Sequence, residues 1–218
     1  YIYFAVSALY VFVFASAGHL FRNKKTISTD VQRKFAILIP AYKEDLVIVS
    51  AANSALKQNY KTQNFDVVVI ADSLSSKTIN CLKELPVKLI EVSFKESTKA
   101  KALNLAMNEL KEIYQYAVVL DADNIMEADF LKKMNAAFLN GFDAVQGHRK
   151  AKNKNTSFAI LDAASEEINN HIFRKSHRSL GFPSGLIGSG MAFNYGLFKS
   201  TMKSITAVGG FDKELEFE

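Results

Sequence analysis

The sequence holds one cysteine, Cys81, in 218 residues. That excludes a disulfide framework, and a single thiol without a partner motif cannot build a zinc site, so a reducing compartment is the natural setting. Two glycine signatures are missing as well. No Gly-x-Gly-x-x-Gly turn marks a dinucleotide site, and no Gly-x-x-x-x-Gly-Lys-Ser/Thr loop is there to cradle phosphates with backbone amides. No internal repeat is visible, and low-complexity sequence is limited to "KAKNKN" at 150–155, which reads as a mobile basic loop. Lys and Arg exceed Asp and Glu by 27 to 22, but much of the surplus is not clustered. The phenylalanines sit mostly at apolar periodic positions, so a basic stripe with stacking aromatics, as a nucleic-acid binder needs, is lacking.

Charge is also absent from the first 21 residues, "YIYFAVSALYVFVFASAGHLF". As a helix rising about 1.5 Å per residue they reach roughly the 30 Å of a bilayer core. Arg22, Lys24 and Lys25 follow directly, with Arg33 and Lys34 further on, which by the positive-inside tendency keeps the rest of the chain in the cytoplasm. The segment is expected to be a transmembrane anchor, with His19 at its interfacial end. A signal peptide, for which "ASA" at 15–17 would suit cleavage, and a buried core helix are the competing readings. The opening at Tyr1 without methionine fits a piece of a longer chain.

What remains is enough for one sizeable core, given 49% hydrophobic residues. From residue 35, short apolar runs alternate with longer segments of helical spacing, the pattern of an α/β sheet with helices on its faces. Strands are expected at 35–39, 66–71, 87–92, 116–120 and 143–147. Helices are expected at 45–57 and 76–85, and over 98–114, where Ala100, Leu103, Ala106, Leu110 and Ile113 recur at threes and fours. Two more should lie at about 126–140 and 157–175, the latter capped by Asn155, Thr156 or Ser157.

In open sheets of this kind ligands bind beyond the carboxyl ends of the strands. Those ends carry "PAYKED" (40–45), "DSLSS" (72–76) and "DADN" (121–124). Asp121 and Asp123, two residues apart on a chain leaving a strand, can point the same way, and side-by-side carboxylates repel unless a cation joins them. Magnesium or manganese held by so few protein ligands keeps positions that a diphosphate fills. The alternative is that Asp121, Asp123 or Asn124 caps the next helix, with Glu127 and Asp129 at its positive end.

Taken in order, "ILIPAYKED", "VVVIADS", "KAKALNLAMN", "VVLDADN", "IGSGMAF" and "VGGFDKELE" resemble the inverting glycosyltransferases of family 2, over about residues 35–218. The resemblance implies a GT-A fold, a mixed and mostly parallel sheet flanked by helices, here preceded by one transmembrane helix. It divides the chain into an anchor (1–21), a basic juxtamembrane linker (22–34) and a catalytic domain (35–218).

It further implies that Pro40, Ala41, Tyr42, Glu44 and Asp72 hold a uridine. Asp72 can accept a hydrogen bond from a base N–H, and Tyr42 offers an aromatic edge beside a planar ring. Lys101, with Lys99 beside it, would lie near the nucleotide phosphates. Asp121 and Asp123, with Ala122 between them along the donor, would hold the divalent metal, Mg or Mn. Gly188, Ser189, Gly190, His148 and Arg149 would meet sugar and acceptor, since glycine lets backbone approach a ligand closely. The catalytic base would come from "GGFDKELEFE" (209–218), where the flanking Leu215 aligns Glu214, with Asp212 the other candidate.

Structural alternatives stand beside these roles. Asp72 also suits a turn, the two lysines a solvated first turn, residues 188–190 a plain turn, and the acids an exposed helix start. His171 and Arg174 suit a helix face paired with Glu166 or Glu167. Two departures from the family pattern are visible. Its usual Glu-Asp pair is replaced by Asp212, Glu214, Glu216 and Glu218, and its Gln-x-x-Arg-Trp motif cannot occur in a sequence without tryptophan.

The implied function is transfer of a sugar from a UDP-sugar to a hydroxyl of a glycan or lipid-linked acceptor, at the cytoplasmic face of the inner membrane. A non-catalytic, membrane-bound nucleotide-sugar sensor or scaffold is the alternative. A sugar nucleotidyltransferase would need a glycine-rich first loop, and "PAYKED" has no glycine.

Overall fold

The computed structural model of the chain describes residues 1–20, 31–111 and 114–217. Arg22, Lys24, Lys25, Ile113 and Glu218 lie outside the described residues. The chain opens with helix α1 (Ile2–Leu20), followed by β1 (Phe35–Tyr42), α2 (Ile48–Leu56), β2 (Phe65–Asp72), α3 (Ser76–Lys83) and β3 (Lys88–Val92). Next come α4 (Lys99–Glu109), β4 (Tyr116–Val119), α5 (Phe130–Phe138), β5 (Ala144–Gln146) and α6 (Ser157–Asn169). A π-helical stretch, Asn170–Ser176, continues α6 into one last turn, α7 (His177–Ser179). The chain then forms β6 (Met191–Asn194), α8 (Tyr195–Thr201) and α9 (Phe211–Phe217). It divides into two compact units, Tyr1–Lys25 with His148–Gly185, and Thr26–Gly147 with Leu186–Glu218.

The second unit is built on a six-stranded sheet in the order β3-β2-β1-β4-β6-β5. β1 pairs in parallel with β2 and β4, and β2 with β3, while β6 runs antiparallel to both β4 and β5. Because side chains alternate across a strand, β1 feeds two cores at once. Ala36 and Leu38 pack with Leu103, Met107, Phe198 and Phe211 on one face. Phe35, Ile37 and Ile39 pack with Ile48, Leu82, Leu131 and Phe138 on the other. A strand covered on both sides reads as a continuous apolar run, which is why β1, β2 and β4 stand out in the sequence.

Local chemistry sets the helix boundaries. The Thr98 hydroxyl accepts the Lys101 N–H and starts α4, whose residues Ala100, Leu103 and Ala106, with Leu110 just past its end, are buried as their spacing predicts. Among the candidate caps of α6, Thr156 accepts the Ala159 N–H. α5 begins at Phe130 rather than 126, because residues 121–130 are taken up by turns in which Asn124 N–H donates to the Asp121 carbonyl and Phe130 N–H to that of Glu127. Capping of that helix by Asp121, Asp123 or Asn124 is therefore ruled out. β6 and α8 were not anticipated. They follow each other without a break, and Asn194 ends one and caps the other by accepting the Gly196 and Leu197 N–H groups.

In the first unit, α1 is long and apolar enough to cross a membrane, and only 11% of its Ile2–His19 window is buried. A core helix would be mostly covered. The side of α1 that is covered meets the π-helical stretch. A Cβ on Gly18 would run into the Ser176 hydroxyl and the His171 ring, and His171 Nε2 lies 2.9 Å from the Ala15 carbonyl. Tyr10 and His177 hydrogen-bond at 2.7 Å. The expected pairing of Arg174 with Glu166 is present at 3.5 Å.

At the amino end of β2, Asp66 accepts the Tyr114 hydroxyl at 2.8 Å and the Lys88 ammonium at 3.1 Å, with Lys34 at 3.5 Å. Burial alone would raise its pKa, but these donors together outweigh it and hold the carboxyl below its usual 3.8. Its contribution to stability is thus present above about pH 4 and fades as pH falls through the lower folded value. Asp66→Asn is expected to cost about 1–2 kcal/mol at neutral pH, with a smaller difference in acid. Urea unfolding midpoints against pH check this, and a pH-independent difference would contradict it.

Candidate active site

Strand register brings the three expected strand ends together. Tyr42 lies opposite Asp72, and Leu38 opposite Val119, so the carboxyl ends of β2, β1 and β4 are neighbours. β6 runs the other way, starting with Met191 opposite Val119, so the turn before it arrives at this same edge. Pro40 is tolerated here for a definite reason. The Leu38 carbonyl points toward β4, where it accepts Leu120 N–H, and residue 40 points the same way, past the last β4 rung.

At the β1 and β2 ends, Lys43 and Ser73 both take positive φ, 56° each, and Lys43 N–H donates to the Asp72 carbonyl. Such backbone costs a side-chain-bearing residue about 1–2 kcal/mol. The bend turns the chain out of the sheet directly beside Asp72, which is only 3% exposed. Among the described residues the Asp72 carboxylate has one hydrogen bond, from the Ser73 hydroxyl at 2.9 Å. A buried carboxylate with one neutral donor retains strong acceptor capacity. Tyr42 is half exposed, with the Lys43 ammonium 4.9 Å from its ring centre. The neighbouring Tyr42 raises the lysine pKa above its ordinary value.

The end of β4 is joined to the turn before β6 through side chains. Lys99, the first residue of α4, pairs with Asp121 and donates to the Gly188 carbonyl, and its ammonium stands 5.0 Å from the Phe211 ring centre. Ser189 is fully buried, and its hydroxyl accepts the Asp121 N–H at 2.9 Å and binds the Asn124 side-chain amide. Gly190 N–H donates to the Val119 carbonyl at 2.8 Å. Gly188 and Gly190 have φ of +76° and +66°, so the sharp bend needs glycine at both. Gln146 holds the turn from its other side, donating to the Ser189 carbonyl at 2.9 Å and accepting the Ile187 N–H at 3.0 Å.

The acids of the last helix separate by role. Glu214 accepts the backbone N–H groups of Thr206 and Ala207, the latter at 2.7 Å. Glu216 accepts the Leu186 N–H and the Lys213 ammonium. Asp212 differs. No hydrogen bond or ion pair holds it among the described residues, and its carboxyl lies 3.9 Å from where a Cβ on Gly188 would be.

Of the expected site residues, this edge gathers Pro40, Tyr42, Asp72, Lys99, Asp121, Gly188, Ser189, Gly190 and Asp212. Ala41 and Ala122 are buried in the core beneath it. Glu44 is exposed, its carbonyl starting α2. Lys101 turns back to the Glu96 carbonyl. His148 pairs with Glu167 at 3.2 Å, and the Arg149 carbonyl accepts the Asn170 amide, both within the first unit. Gln146 was missed, although it is the polar residue that ends the short strand "AVQ".

The family model described as "Glycosyltransferase like family 2" matches residues 32–218. The chain belongs to this family. Among curated relatives of this glycosyltransferase domain, the poly-beta-1,6-N-acetyl-D-glucosamine synthase of Staphylococcus aureus is 25% identical over 160 residues, 71% of this chain and 38% of the relative. The chain spans between 19% and 38% of the length of the curated relatives it matches. Among solved structures, the mannosyltransferase PcManGT of Pyrobaculum calidifontis, in complex with GDP-Man and Mn2+, superposes with a TM-score of 0.68 at 17% identity, covering 90% of this chain and 56% of that one. S. aureus TarS 1-349 in complex with UDP-GlcNAc gives 0.57 at 17% identity, covering 84% and 53%. The fold of the glycosyltransferase is GT-A.

Among the described residues no three His, Cys, Asp or Glu side chains cluster as a metal cage. Asp121 and the exposed Asp123 are nevertheless two hard oxygen donors, which suits a Mg or Mn ion completed by oxygens of a bound diphosphate.

Ser189→Ala strips the acceptor from the Asp121 N–H and the Asn124 amide. It should lower unfolding free energy by about 1–3 kcal/mol. An unchanged urea midpoint would mean that the hydroxyl does not hold the turn.

Proposed function

We propose that the domain transfers a sugar from a UDP-sugar to a hydroxyl of a glycan or lipid-linked acceptor, inverting the anomeric centre by single displacement. The observation that carries this is the convergence on one sheet edge of an acceptor-rich buried Asp72, the Lys99–Asp121 pair and an unengaged Asp212 beside Gly188.

Asp72 accepts an N–H of the uracil while Tyr42 lines the ring. Lys99 offers its ammonium to the diphosphate. Asp121 and Asp123 would hold a Mg or Mn ion, which when bound supplies positive charge to that diphosphate. The sugar lies against the Gly188–Gly190 backbone, where the lack of side chains at two of three positions permits close approach. Asp212 takes the proton of the acceptor hydroxyl as that oxygen attacks the anomeric carbon, and UDP departs. Asp212 suits this task better than Glu214, whose two oxygens are engaged with the Thr206 and Ala207 amides. The choice of donor is supported by the UDP-GlcNAc complex of TarS and by the N-acetylglucosamine polymer in the name of the synthase relative.

α1 serves as a membrane anchor. Its mostly uncovered apolar surface and the run Arg22, Lys24 and Lys25 behind it support an inner-membrane location, with the transferase domain on the cytoplasmic side.

Calorimetric titration of the chain in detergent with UDP is expected to show binding that rises with manganese and falls with chelator, and GDP should compete poorly. Asp121→Asn should weaken the metal-dependent part about tenfold or more, some 1.4 kcal/mol. Affinity indifferent to both metal and substitution would reject the diphosphate site. Asp212→Asn should reduce turnover by about 10²–10⁴-fold while sparing UDP affinity, whereas Glu214→Gln should chiefly lower the unfolding midpoint. A turnover loss under about tenfold at Asp212 would remove it as the base.

A further inference from the structure

Lys99 and a divalent ion lay claim to the same carboxylate. The Lys99 ammonium takes Oδ1 of Asp121, and among the described residues Oδ2 makes no hydrogen bond. A metal on Oδ2 would share one carboxylate with a unit positive charge, where the two side chains are only 26% and 38% exposed and water screens them in part. Two cations so placed repel each other, and Asp121 cannot hold both firmly.

The other contacts of the ammonium are neutral groups, the Gly188 carbonyl and the face of the Phe211 ring. Its own helix does not favour it either. Lys99 is the first residue of α4, where the free N–H groups of a helix disfavour a cation and favour an anion. The ammonium therefore depends on one anion at a time, either Asp121 or a negative group brought to this edge. A diphosphate is such a group, and both the helix end and the lysine draw it in.

We propose that Lys99 couples metal binding to nucleotide binding by changing partners. Paired with Asp121, it keeps a divalent ion off that carboxylate. Drawn to a diphosphate, it gives the carboxylate up, so that metal and UDP each raise the affinity for the other by the same factor. This rests on the donor-site reading given above and adds an order to it, in which the metal enters with the nucleotide and not ahead of it.

The test uses the whole chain in detergent, with manganese binding read from the spin resonance of the free ion and UDP binding read by calorimetry. Lys99→Gln should bind manganese alone about tenfold or more tightly than the wild type, and UDP with manganese several-fold more weakly. Damage to the fold would weaken both, so the opposite signs separate this role from a structural one. Lys99→Arg, which retains the charge, should exclude manganese as the wild type does, and adding Asp121→Asn to Lys99→Gln should abolish the gain. Manganese binding by Lys99→Gln no tighter than in the wild type, with metal-dependent UDP binding intact in the wild type, would overturn the proposal and leave the donor site standing. A wild type that binds no UDP with manganese would reject the donor reading and this proposal with it. One readout needs no variant. Acetylation of Lys99, followed by mass spectrometry, should speed up with manganese at concentrations that load Asp121 and slow again when UDP is added, and a rate indifferent to both would also overturn the proposal.

Discussion

An ammonium at the first residue of α4 holds an aspartate at the end of β4 and a carbonyl in the turn before β6, while resting against the ring that opens α9. Four separate elements are located by that one group. Its side chain and that of Asp121 are 26% and 38% exposed, so the pair itself contributes at most about 1 kcal/mol. Its importance is positional. Asp121 and Asp212 are both acidic, and an edge that gathers them repels itself unless a cation is present. Lys99 supplies that charge from within the protein, so the edge can be assembled before any ligand arrives.

The strands around this edge were legible because they are long runs buried on both faces, and the register that unites their ends follows from parallel pairing. β6 escaped notice because four residues, three of them apolar, carry no periodicity of their own. Its antiparallel place beside β4 comes from the Gly188–Gly190 bend, whose geometry depends on partners far away in sequence. Lys99 and Lys101 illustrate the harder limit. Two residues apart on a helix they point about 200° from each other, so only one can face the sheet edge, and nothing local says which. The resemblance favoured Lys101, while the packing of Ala100, Leu103 and Met107 rotates Lys99 inward.

The same rotation logic sorts the acids of α9. Asp212, Glu214 and Glu216 look alike in a string, yet Glu214 is turned about 200° from Asp212, while Glu216, four residues on, returns to the face of Asp212 and differs from it only in its partners. Glu214 and Glu216 reach loop amides at residues 206–207 and 186 and tie the helix down, which leaves Asp212 as the carboxylate without a structural task. Leu215, read as an alignment mark for Glu214, is a core residue packed with Phe211. The burial that makes Leu215 easy to recognise therefore says little about the chemistry of its neighbours.

Gln146 and Ile187 stand where the chain leaves the sheet and where it comes back, and a single amide side chain binds both margins. The intervening stretch is thus closed at its neck by the sheet itself and does not rely on its own contents to keep the Ser189 bend in shape. Such a stretch behaves as a cassette. Changes to its length or its charge would leave that neck, and with it the donor edge, in place.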